Sequence, residues 1–398
     1  MKLNEEILVD IIDVDNKANG IAKVDNFVIF VKNGLIDEKT FIIIKKLKKQ
    51  YAYAQIKKLK TISTNRVEPI CKYYHNCGGC SFLHTTFINE NKIKENYIKH
   101  LFKDYKVNDL LSGNEYFYRN KAIFHIKNGQ IGYYEENSNN LIPINTCYLL
   151  DKDISNIINI IKKFNLLKTT EIMLRKSLSK QEVMIVINGF ISDEDVSLLK
   201  TISCIKSIYI NDKHIHGNAY IIETIDRYCF SIYPKSFFQV NHEMTKVLYD
   251  TVKKYAGNGD KLLDLYCGTG TIGIYLHENF KKIIGIEIVE DAIKNALINK
   301  ELNNIDNIDF ICGDAKDLKE KDFDVVVVDP PRKGLTQSLI DKLQKINPKK
   351  IVYVSCNPNT LKRDISLLNN YELINLTPIN MFPKTQHCEV VCLLKSKK

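Results

Sequence analysis

The stretch KLLDLYCGTGTIG, residues 261–273, predicts a buried strand that turns directly into a helix. Its apolar first half is typical of a strand covered on both faces. Glycines at positions 268, 270 and 273 allow a sharp turn and the close approach of a cofactor. A G-x-G-x-x-G pattern alone is weak evidence, because nicotinamide-dependent enzymes and chance matches also contain it. The neighbouring segments must therefore decide what this turn binds.

Four further apolar runs follow along the chain, and polar residues stand at the end of each. These runs end at Glu287, at Asp314, at DPPRKG (329–334) and at SCNP (355–358). Apolar runs that alternate with helical stretches predict a parallel sheet, whose ligands bind where the strands end. Glu287 follows the glycines by roughly 20 residues, the spacing at which a carboxylate reaches ribose hydroxyls.

The composition sets the limits within which these motifs are interpreted. A chain of 398 residues is long enough for two or three domains, and 44% hydrophobic with 26% charged residues is ordinary for a globular protein. No apolar run approaches the ~20 residues of a membrane span, and no signal peptide is evident, so we expect a cytoplasmic protein without a membrane partner. The formal net charge of +10 leans towards polyanionic partners.

The first 60 residues alternate short β-like runs with polar turns, which predicts a small barrel. Between residues 39 and 60 there are eight lysines and no acidic residue, interleaved with Tyr51 and Tyr53. Such a run forms either a solvated rim or an RNA-binding surface, on which lysines neutralise phosphates and tyrosines stack on bases.

Three cysteines, Cys71, Cys77 and Cys80, lie within ten residues of each other, and two glycines separate the last two. With eleven cysteines in a chain expected in the cytosol, metal binding or catalysis is favoured over disulfides. The spacing predicts a soft metal or an iron–sulfur cluster. Zinc is the main alternative, because it also takes four thiolates, and reduced structural cysteines are another.

Residues 116–134 are predicted to form a β-hairpin that turns at Asn128 and Gly129. Arg119 and Lys121 would share one face of its first strand. They form either an exposed strand face or a contact with an RNA backbone. Upstream of the hairpin, residues 89–102 show the apolar spacing of an amphipathic packing helix.

Taken together, these segments resemble the S-adenosylmethionine-dependent RNA uracil-5-methyltransferases. The resemblance rests on FFQVN (237–241), DLYCGTG, DPPRKG, SCNP and TQHCE (385–389), together with the cysteine set, and it spans nearly the whole chain. It implies an α/β Rossmann-like methyltransferase domain at residues 231–398 and an N-terminal OB-like β-barrel, the RNA-binding TRAM domain, at residues 1–60. It also implies a middle α+β iron–sulfur domain at residues 61–230, of which about 83–112 is expected to pack on the catalytic domain.

The resemblance also implies two bound cofactors. S-adenosylmethionine would contact Gln239, Tyr266, Glu287 and Asp329, with Asp314 and Thr271 as weaker candidates. A [4Fe-4S] cluster would be held by Cys71, Cys77, Cys80 and Cys147. Two positions depart from the family pattern: some relatives carry asparagine in place of Thr271, and a valine is common in place of Cys388.

Methylation of C5 of uracil needs a nucleophile, because that carbon is not reactive by itself. A thiolate that adds to C6 produces an enolate at C5, and a base later removes the C5 proton, all around a single-stranded or flipped-out base. Cys356 follows a strand directly and matches the nucleophile of the family, whereas a lone cysteine is otherwise usually a small buried apolar residue. Glu389 matches the general base.

Several features narrow the substrate. Arg332 stands after the double proline, where amino-group methyltransferases place an aromatic residue, and no cysteine follows the prolines as in RNA cytosine-5-methyltransferases. The tRNA-directed branch lacks the barrel and the cluster cysteines, so a monomeric enzyme acting on 23S rRNA is expected, with tRNA as the alternative substrate. Two other classes stay open: a nicotinamide-dependent oxidoreductase and a non-catalytic RNA-binding iron–sulfur protein.

Overall fold

The computed structural model describes residues 1–314 and 322–397, which form two compact units. The first unit comprises residues 1–100, 134–142 and 382–387, and the second comprises residues 101–133, 143–381 and the chain from 388 onwards. The division into three domains at residues 60 and 230 stays a prediction. Within the described ranges, no helix combines the length and apolar character needed to cross a lipid bilayer.

The first unit contains a six-stranded sheet in the order β1-β5-β6-β4-β3-β2, antiparallel except where β4 meets β6. Its strands are β1 (Glu6–Asp10), β2 (Asp13–Val14), β3 (Asn19–Val24), β4 (Phe27–Lys32), β5 (Lys39–Leu47) and β6 (Tyr51–Leu59). Alternate residues of β5, such as Ile42 and Ile44, are fully buried in one hydrophobic core. The alternation in the sequence therefore corresponds to the two faces of these strands.

Helix α1 (Phe87–Leu101) is fixed in the first unit by a buried ion pair. Lys94 Nζ donates to Glu90 Oε1 at 2.8 Å, and the backbone N–H of Lys384 donates to the same oxygen at 2.8 Å. All three residues are at most 2% exposed. Residues 382–387 thus belong to this unit, although the strands that precede and follow them belong to the other.

The second unit contains a seven-stranded sheet in the order β10-β9-β8-β11-β12-β13-β14. Its elements are β8 (Lys121–Lys127), β9 (Gln130–Tyr134), β10 (Leu141–Pro143), α2 (Lys152–Ile161), β11 (Thr169–Ser177), β12 (Glu182–Gly189), α3 (Asp193–Thr201), β13 (Ile205–Ile210) and β14 (Lys213–Gly217). The predicted hairpin is confirmed, and Asn128 and Gly129 have φ values of 53° and 73° at its turn. Two positive φ angles are typical of a type I′ turn.

The same unit contains an eight-stranded sheet in the order β19-β18-β17-β20-β21-β23-β22-β7. Its strands are β7 (Leu111–Ser112), β17 (Gly259–Leu265), β18 (Phe280–Glu287), β19 (Ile308–Cys312), β20 (Val325–Val328), β21 (Lys350–Ser355), β22 (Tyr371–Asn380) and β23 (Glu389–Ser396). Strands β17 to β21 are parallel, and β23 is antiparallel to both of its neighbours. The strand order changes direction between β17 and β20, where doubly wound sheets form a ligand-binding crevice.

Helices and one small ribbon complete the second unit. The helices are α4 (His242–Ala256), α5 (Thr271–Leu276), α6 (Glu290–Leu302), α7 (Gln337–Ile346) and α8 (Pro358–Leu367), with a 3₁₀ turn at His277–Asn279. Strands β15 (Ile221–Ile225) and β16 (Tyr228–Ile232) pair antiparallel as a separate ribbon. The predicted strand–turn–helix at the glycines is therefore β17 followed by α5.

Candidate active site

The register of the eight-stranded sheet brings Cys356 and Glu389 to the same edge. Ser355, the last residue of β21, pairs with Val390 in antiparallel β23. Cys356 follows β21 directly and Glu389 is the first residue of β23, so the two side chains belong to neighbouring strand ends. Asp329 follows the adjacent strand β20. Residues separated by tens of positions in the sequence therefore converge.

Glu389 is 6% exposed, and its burial raises the pKa of its carboxyl group to about 8. The charge of Asp329 acts in the same direction, and that of Arg332 opposes both. Burial also raises the pKa of Asp329, to about 7. A carboxyl group with such a pKa exchanges its proton near neutral pH, which is the property required of a general base.

The thiol of Cys356 is half-buried, and this burial raises its pKa to about 11. The charges of Glu389 and Asp329 raise it further, whereas the charge of Arg332 lowers it. The thiol is therefore protonated at neutral pH in the free protein.

Two loops that flank Cys356 are joined by hydrogen bonds. Asn357 Nδ2 and Thr360 Oγ1 donate to the carbonyl oxygen of Arg332, at 3.1 and 3.3 Å. Gly334 has a φ of 74°, and a Cβ atom there would lie 2.4 Å from Asp364 Oδ2. The DPPRKG segment can therefore close onto helix α8 only with glycine at this position. This closure keeps Arg332 near enough for its charge to lower the pKa of the Cys356 thiol.

The glycine turn after β17 leaves open space at one position and is filled at another. Gly268 has a φ of 53°, no atom lies within 4 Å of the place of a Cβ, and its N–H donates to Glu287 Oε2 at 3.3 Å. A Cβ on Gly270 would lie 2.4 Å from Cζ of Phe310. Gly270 therefore serves packing, whereas Gly268 leaves room for a ligand.

Three further residues surround this turn: Thr271 and Tyr266, which were predicted to contact the cofactor, and Asp264, which was not. Thr271 Oγ1 accepts a hydrogen bond of 2.8 Å from the hydroxyl of Tyr249. Asp264 is fully buried and accepts from the N–H of Gly273 at 3.0 Å, and burial raises the pKa of its carboxyl group to about 8. Tyr266 has a φ of 61°, and burial, followed by the charges of Asp314 and Glu287, raises its pKa.

A cavity of about 740 Å³ opens beside Gly268 and Glu287. Its wall includes Phe237, which is 73% exposed, and Asn295. Its size suits a nucleoside-containing ligand. Of the predicted cofactor residues, only Glu287 lines this cavity; the residues outside its wall are Gln239, Tyr266, Thr271, Asp314 and Asp329.

Three asparagines spaced four residues apart, two on α6 and one capping its C-terminus, were not predicted from the sequence. Asn303 exchanges hydrogen bonds with both backbone groups of Cys229, at 2.8 and 2.7 Å. Asn299 accepts from the N–H of Ser231 at 2.7 Å and donates to the carbonyl of Thr269 in the glycine turn at 2.9 Å. Their i, i+4 spacing is the one available signal, because it places them on one helix face.

Asn295 continues this row at the cavity. Its Nδ2 donates to the carbonyl of Ser231 at 3.1 Å, and its Oδ1 accepts from Ser236 Oγ at 2.6 Å. Asn295 and Ser236 both line the cavity. The row therefore connects the glycine turn with the segment that carries Phe237.

The predicted cluster cysteines are distributed over the two units. Cys71, Cys77 and Cys80 belong to the first unit and Cys147 to the second. Over residues 1–314 and 322–397, no three His, Cys, Asp or Glu side chains are grouped as a metal site. Burial raises the pKa of Cys77, and the charge of Cys71 adds to this effect.

Models of three protein families match the sequence. The tRNA (uracil-5-)-methyltransferase model matches residues 169–322, the TRAM domain model matches residues 2–57, and a methyltransferase domain model matches residues 256–393. The TRAM match falls on the six-stranded sheet of the first unit. The methyltransferase match covers most of the eight-stranded sheet.

Two curated relatives are similar over almost the whole chain. An uncharacterized RNA methyltransferase of Clostridium tetani is 36% identical over 99% of this chain and 97% of its own length. Another from Staphylococcus aureus is 33% identical over 97% of both chains.

One solved structure is similar over nearly the full length. It is the tRNA (uracil-54, C5)-methyltransferase of Pyrococcus abyssi in complex with S-adenosyl-L-homocysteine, with a TM-score of 0.82 and 26% identity over 98% of this chain and 100% of that chain.

Proposed function

Because the chain belongs to the S-adenosylmethionine-dependent RNA uracil-5-methyltransferase family, we propose that it methylates C5 of a uridine through a covalent bond between Cys356 and C6 of the base. The observation that carries this proposal is the convergence of Cys356, Glu389 and Asp329 at one sheet edge. An oxidoreductase would leave the thiol and its carboxyl neighbour without a role. A non-catalytic RNA-binding protein would not need them.

The reaction assigns a separate role to each of the two residues. After Cys356 loses its thiol proton to water, its Sγ forms a bond to C6 while the C5–C6 double bond opens, and the electron pair is delocalised as an enolate over C5 and O4. S-adenosylmethionine would supply the methyl group: C5 would take it as the bond between the methyl carbon and the sulfonium sulfur breaks, which leaves S-adenosylhomocysteine. Glu389 then removes the C5 proton, and the electron pair of that C–H bond restores the double bond and expels Cys356 as thiolate.

The cofactor is assigned to the cavity beside Gly268. Glu287 would accept from the ribose hydroxyls, since its carboxylate already lies at the glycine turn. Phe237 would cover the adenine, because an exposed ring on a cavity wall offers a stacking surface. Gln239, Tyr266 and Asp329 remain proposed contacts of the part of the cofactor that extends out of this cavity.

An aromatic group on the first unit supports RNA as the partner. The rings of Phe30, Tyr51 and Tyr53 lie with centroids 5.5 to 5.8 Å apart. Lys46 stands opposite Tyr53 in the neighbouring strand β5. Aromatic rings beside lysines form the kind of surface on which unpaired bases stack while their phosphates are neutralised.

The choice between 23S rRNA and tRNA has lost part of its basis. The N-terminal barrel favoured rRNA only if tRNA-directed enzymes lack such a barrel. However, the structure of a tRNA-directed enzyme is similar to 98% of this chain, and this share includes the barrel. We keep 23S rRNA as the first proposal because of the cysteine set, and tRNA is the second because of this likeness.

Two further proposals rest on the sequence. A [4Fe-4S] cluster on Cys71, Cys77, Cys80 and Cys147 is supported by the cysteine spacing and the family resemblance, and no catalytic step uses it. A cytoplasmic location is supported by the substrate class.

Tritium release from RNA labelled at C5 of uridine tests the function directly. Unmodified 23S rRNA and unmodified tRNA are offered in parallel with S-adenosylmethionine, and the released tritium and 5-methyluridine are measured. We expect release from one RNA, with an equal amount of 5-methyluridine formed. Methyl incorporation without tritium release from either RNA would contradict C5 as the target.

A further inference from the structure

Three cationic residues of the second unit lie next to one another at the end of the seven-stranded sheet where β8 begins. Lys121 in β8 is directly opposite Arg175 in β11. Arg119 precedes Lys121 by two residues, and its Nε donates to the carbonyl of Lys121 at 3.0 Å. Like charges that face each other across two strands destabilise the pair. The fold therefore brings together charges that repel each other.

Carboxylates do not balance this group. In the part of the chain that the structure describes, none of the three cations forms an ion pair. Glu171 lies four positions from Arg175 along β11, opposite His125, and its charge only partly offsets the effect of the neighbouring cations on Lys121. Burial, then the charges of Arg175 and Arg119, lower the pKa of Lys121 to about 8.

The residue next to Arg175 is also a buried cation, but it has carboxylate partners. Lys176 is 4% exposed, and its Nζ lies 3.0 Å from Asp151 Oδ1 and 2.6 Å from Asp153 Oδ2. Arg175 is 2% exposed, and the hydrogen bond the structure gives it is Nη1 to the carbonyl of Ser236 at 2.8 Å. A buried charge without a counter-charge is costly, so an uncompensated group next to a compensated one points to a missing anion.

The location of the group agrees with this conclusion. Arg119 and Lys121 are half-buried and reach the surface, whereas Arg175 lies beneath them. Ser236, which holds Arg175, lines the cavity assigned to the cofactor, and the backbone of Arg119 bridges to that of Asn241. An anion bound here would therefore lie beside the FFQVN segment that leads into the catalytic domain.

We propose that Arg119, Lys121 and Arg175 form a binding site for one backbone phosphate of the substrate RNA. Arg119 and Lys121 donate hydrogen bonds to its oxygens, and Arg175 contributes positive charge from below. The inference rests on the proposed function, since it takes RNA as the substrate. The site holds a phosphate of any sequence, so it positions the strand without selecting the base.

The test uses the full chain and a short fluorescein-labelled single-stranded RNA that contains uridine. The Kd is measured by fluorescence anisotropy over a series of salt concentrations, for wild type, Lys121→Met and Arg119→Gln. The matched control is Lys176→Met, which removes the neighbouring cation that already has two carboxylates. Calorimetry gives the Kd of S-adenosylhomocysteine for each protein, and a thermal melt gives its Tm.

We expect Lys121→Met and Arg119→Gln each to weaken RNA binding and to reduce the slope of log Kd against log salt by about 1. Lys121→Met should also raise the Tm, because it removes a like-charge contact, whereas Lys176→Met should lower the Tm and keep the slope.

Unchanged slopes in both Lys121→Met and Arg119→Gln would overturn the phosphate site. A parallel loss of S-adenosylhomocysteine affinity would overturn it too, by assigning the anion to the cofactor carboxylate. Wild-type protein that binds RNA but forms no 5-methyluridine would instead contradict the proposed function.

Discussion

Two sets of residues predicted from the same sequence behave differently in the structure. The active-site set, Cys356, Glu389 and Asp329, is brought together at one sheet edge without any ligand. The cysteine set, whose first members are Cys71 and Cys77, forms no group of metal ligands within the described ranges. Strand register fixes the first set, whereas the second lies largely on turns, where a bound metal would have to supply the order.

The largest effect should come from removing the nucleophile. Cys356→Ala should abolish tritium release, a loss of about 10⁴-fold or more, because alanine has no thiol to form the proposed bond to C6. Cys204→Ala is the matched control, since Cys204 is also half-buried in the second unit. If Cys356→Ala still released tritium, Cys356 would not be the nucleophile, and its proximity to Glu389 at the strand ends would have no catalytic meaning.

Removal of the base should stop the reaction one step later. Glu389→Gln should still form the bond between Cys356 and C6 and accept the methyl group, yet turn over about 10² to 10⁴ times more slowly. The expected product is a covalent protein–RNA adduct that survives denaturing electrophoresis. Glu372→Gln, an exposed carboxylate of neighbouring β22, should leave turnover unchanged. A Glu389→Gln protein that releases its RNA freely would remove Glu389 from the base role.

The pH dependence of methyl transfer tests the pKa values of the residues at the sheet edge. Glu389 acts as a base only when ionised, and its pKa is raised to about 8, so kcat/KM should rise with pH through about 8. The charge of Arg332 lowers the pKa of both Glu389 and Cys356. Arg332→Gln should therefore move the profile to higher pH, whereas Lys333→Gln should not. A kcat/KM that stays constant between roughly pH 6 and pH 9 would contradict the raised pKa of Glu389.

The smallest effect on methyl transfer should come from the cysteine set. Protein purified without oxygen should contain iron and acid-labile sulfide if a ligand orders these residues, and Cys77→Ser should lose both and lower the Tm. Its methyl transfer should fall less than in any variant above, since no step uses the cluster. Zinc without sulfide, or protein without metal, would reject the [4Fe-4S] proposal and leave these cysteines structural.

Several features of the fold could be predicted because they depend on residues that are close together in the sequence. The apolar run before the glycines became β17, the turn at Asn128 and Gly129 became a hairpin, and the polar residues after Val328 and Ser355 stand at strand ends, as predicted. These features depend on residues near one another in the chain. Family resemblance, rather than pattern, supplied the role of Glu389.

The features that escaped prediction depend on partners distant in sequence. Lys121 meets Arg175 only through the pairing of β8 with β11, and Asn295 meets Ser236 only once α6 packs against the ribbon. Neither contact can be predicted from the spacing of residues in the sequence. The cavity wall at Phe237 escaped for the same reason, although the residue lies in a motif that was recognised.

The row of asparagines on α6 also affects how the molecule behaves among its own copies. Strand β16 pairs with β15 on one side, and its other side would present free peptide groups at Cys229 and Ser231. Asn303, Asn299 and Asn295 hydrogen-bond to those groups with their side-chain amides. An open strand edge invites a second chain to add to it and begin aggregation. The helix thus shields the ribbon from association as well as supporting the wall of the cavity beside Gly268.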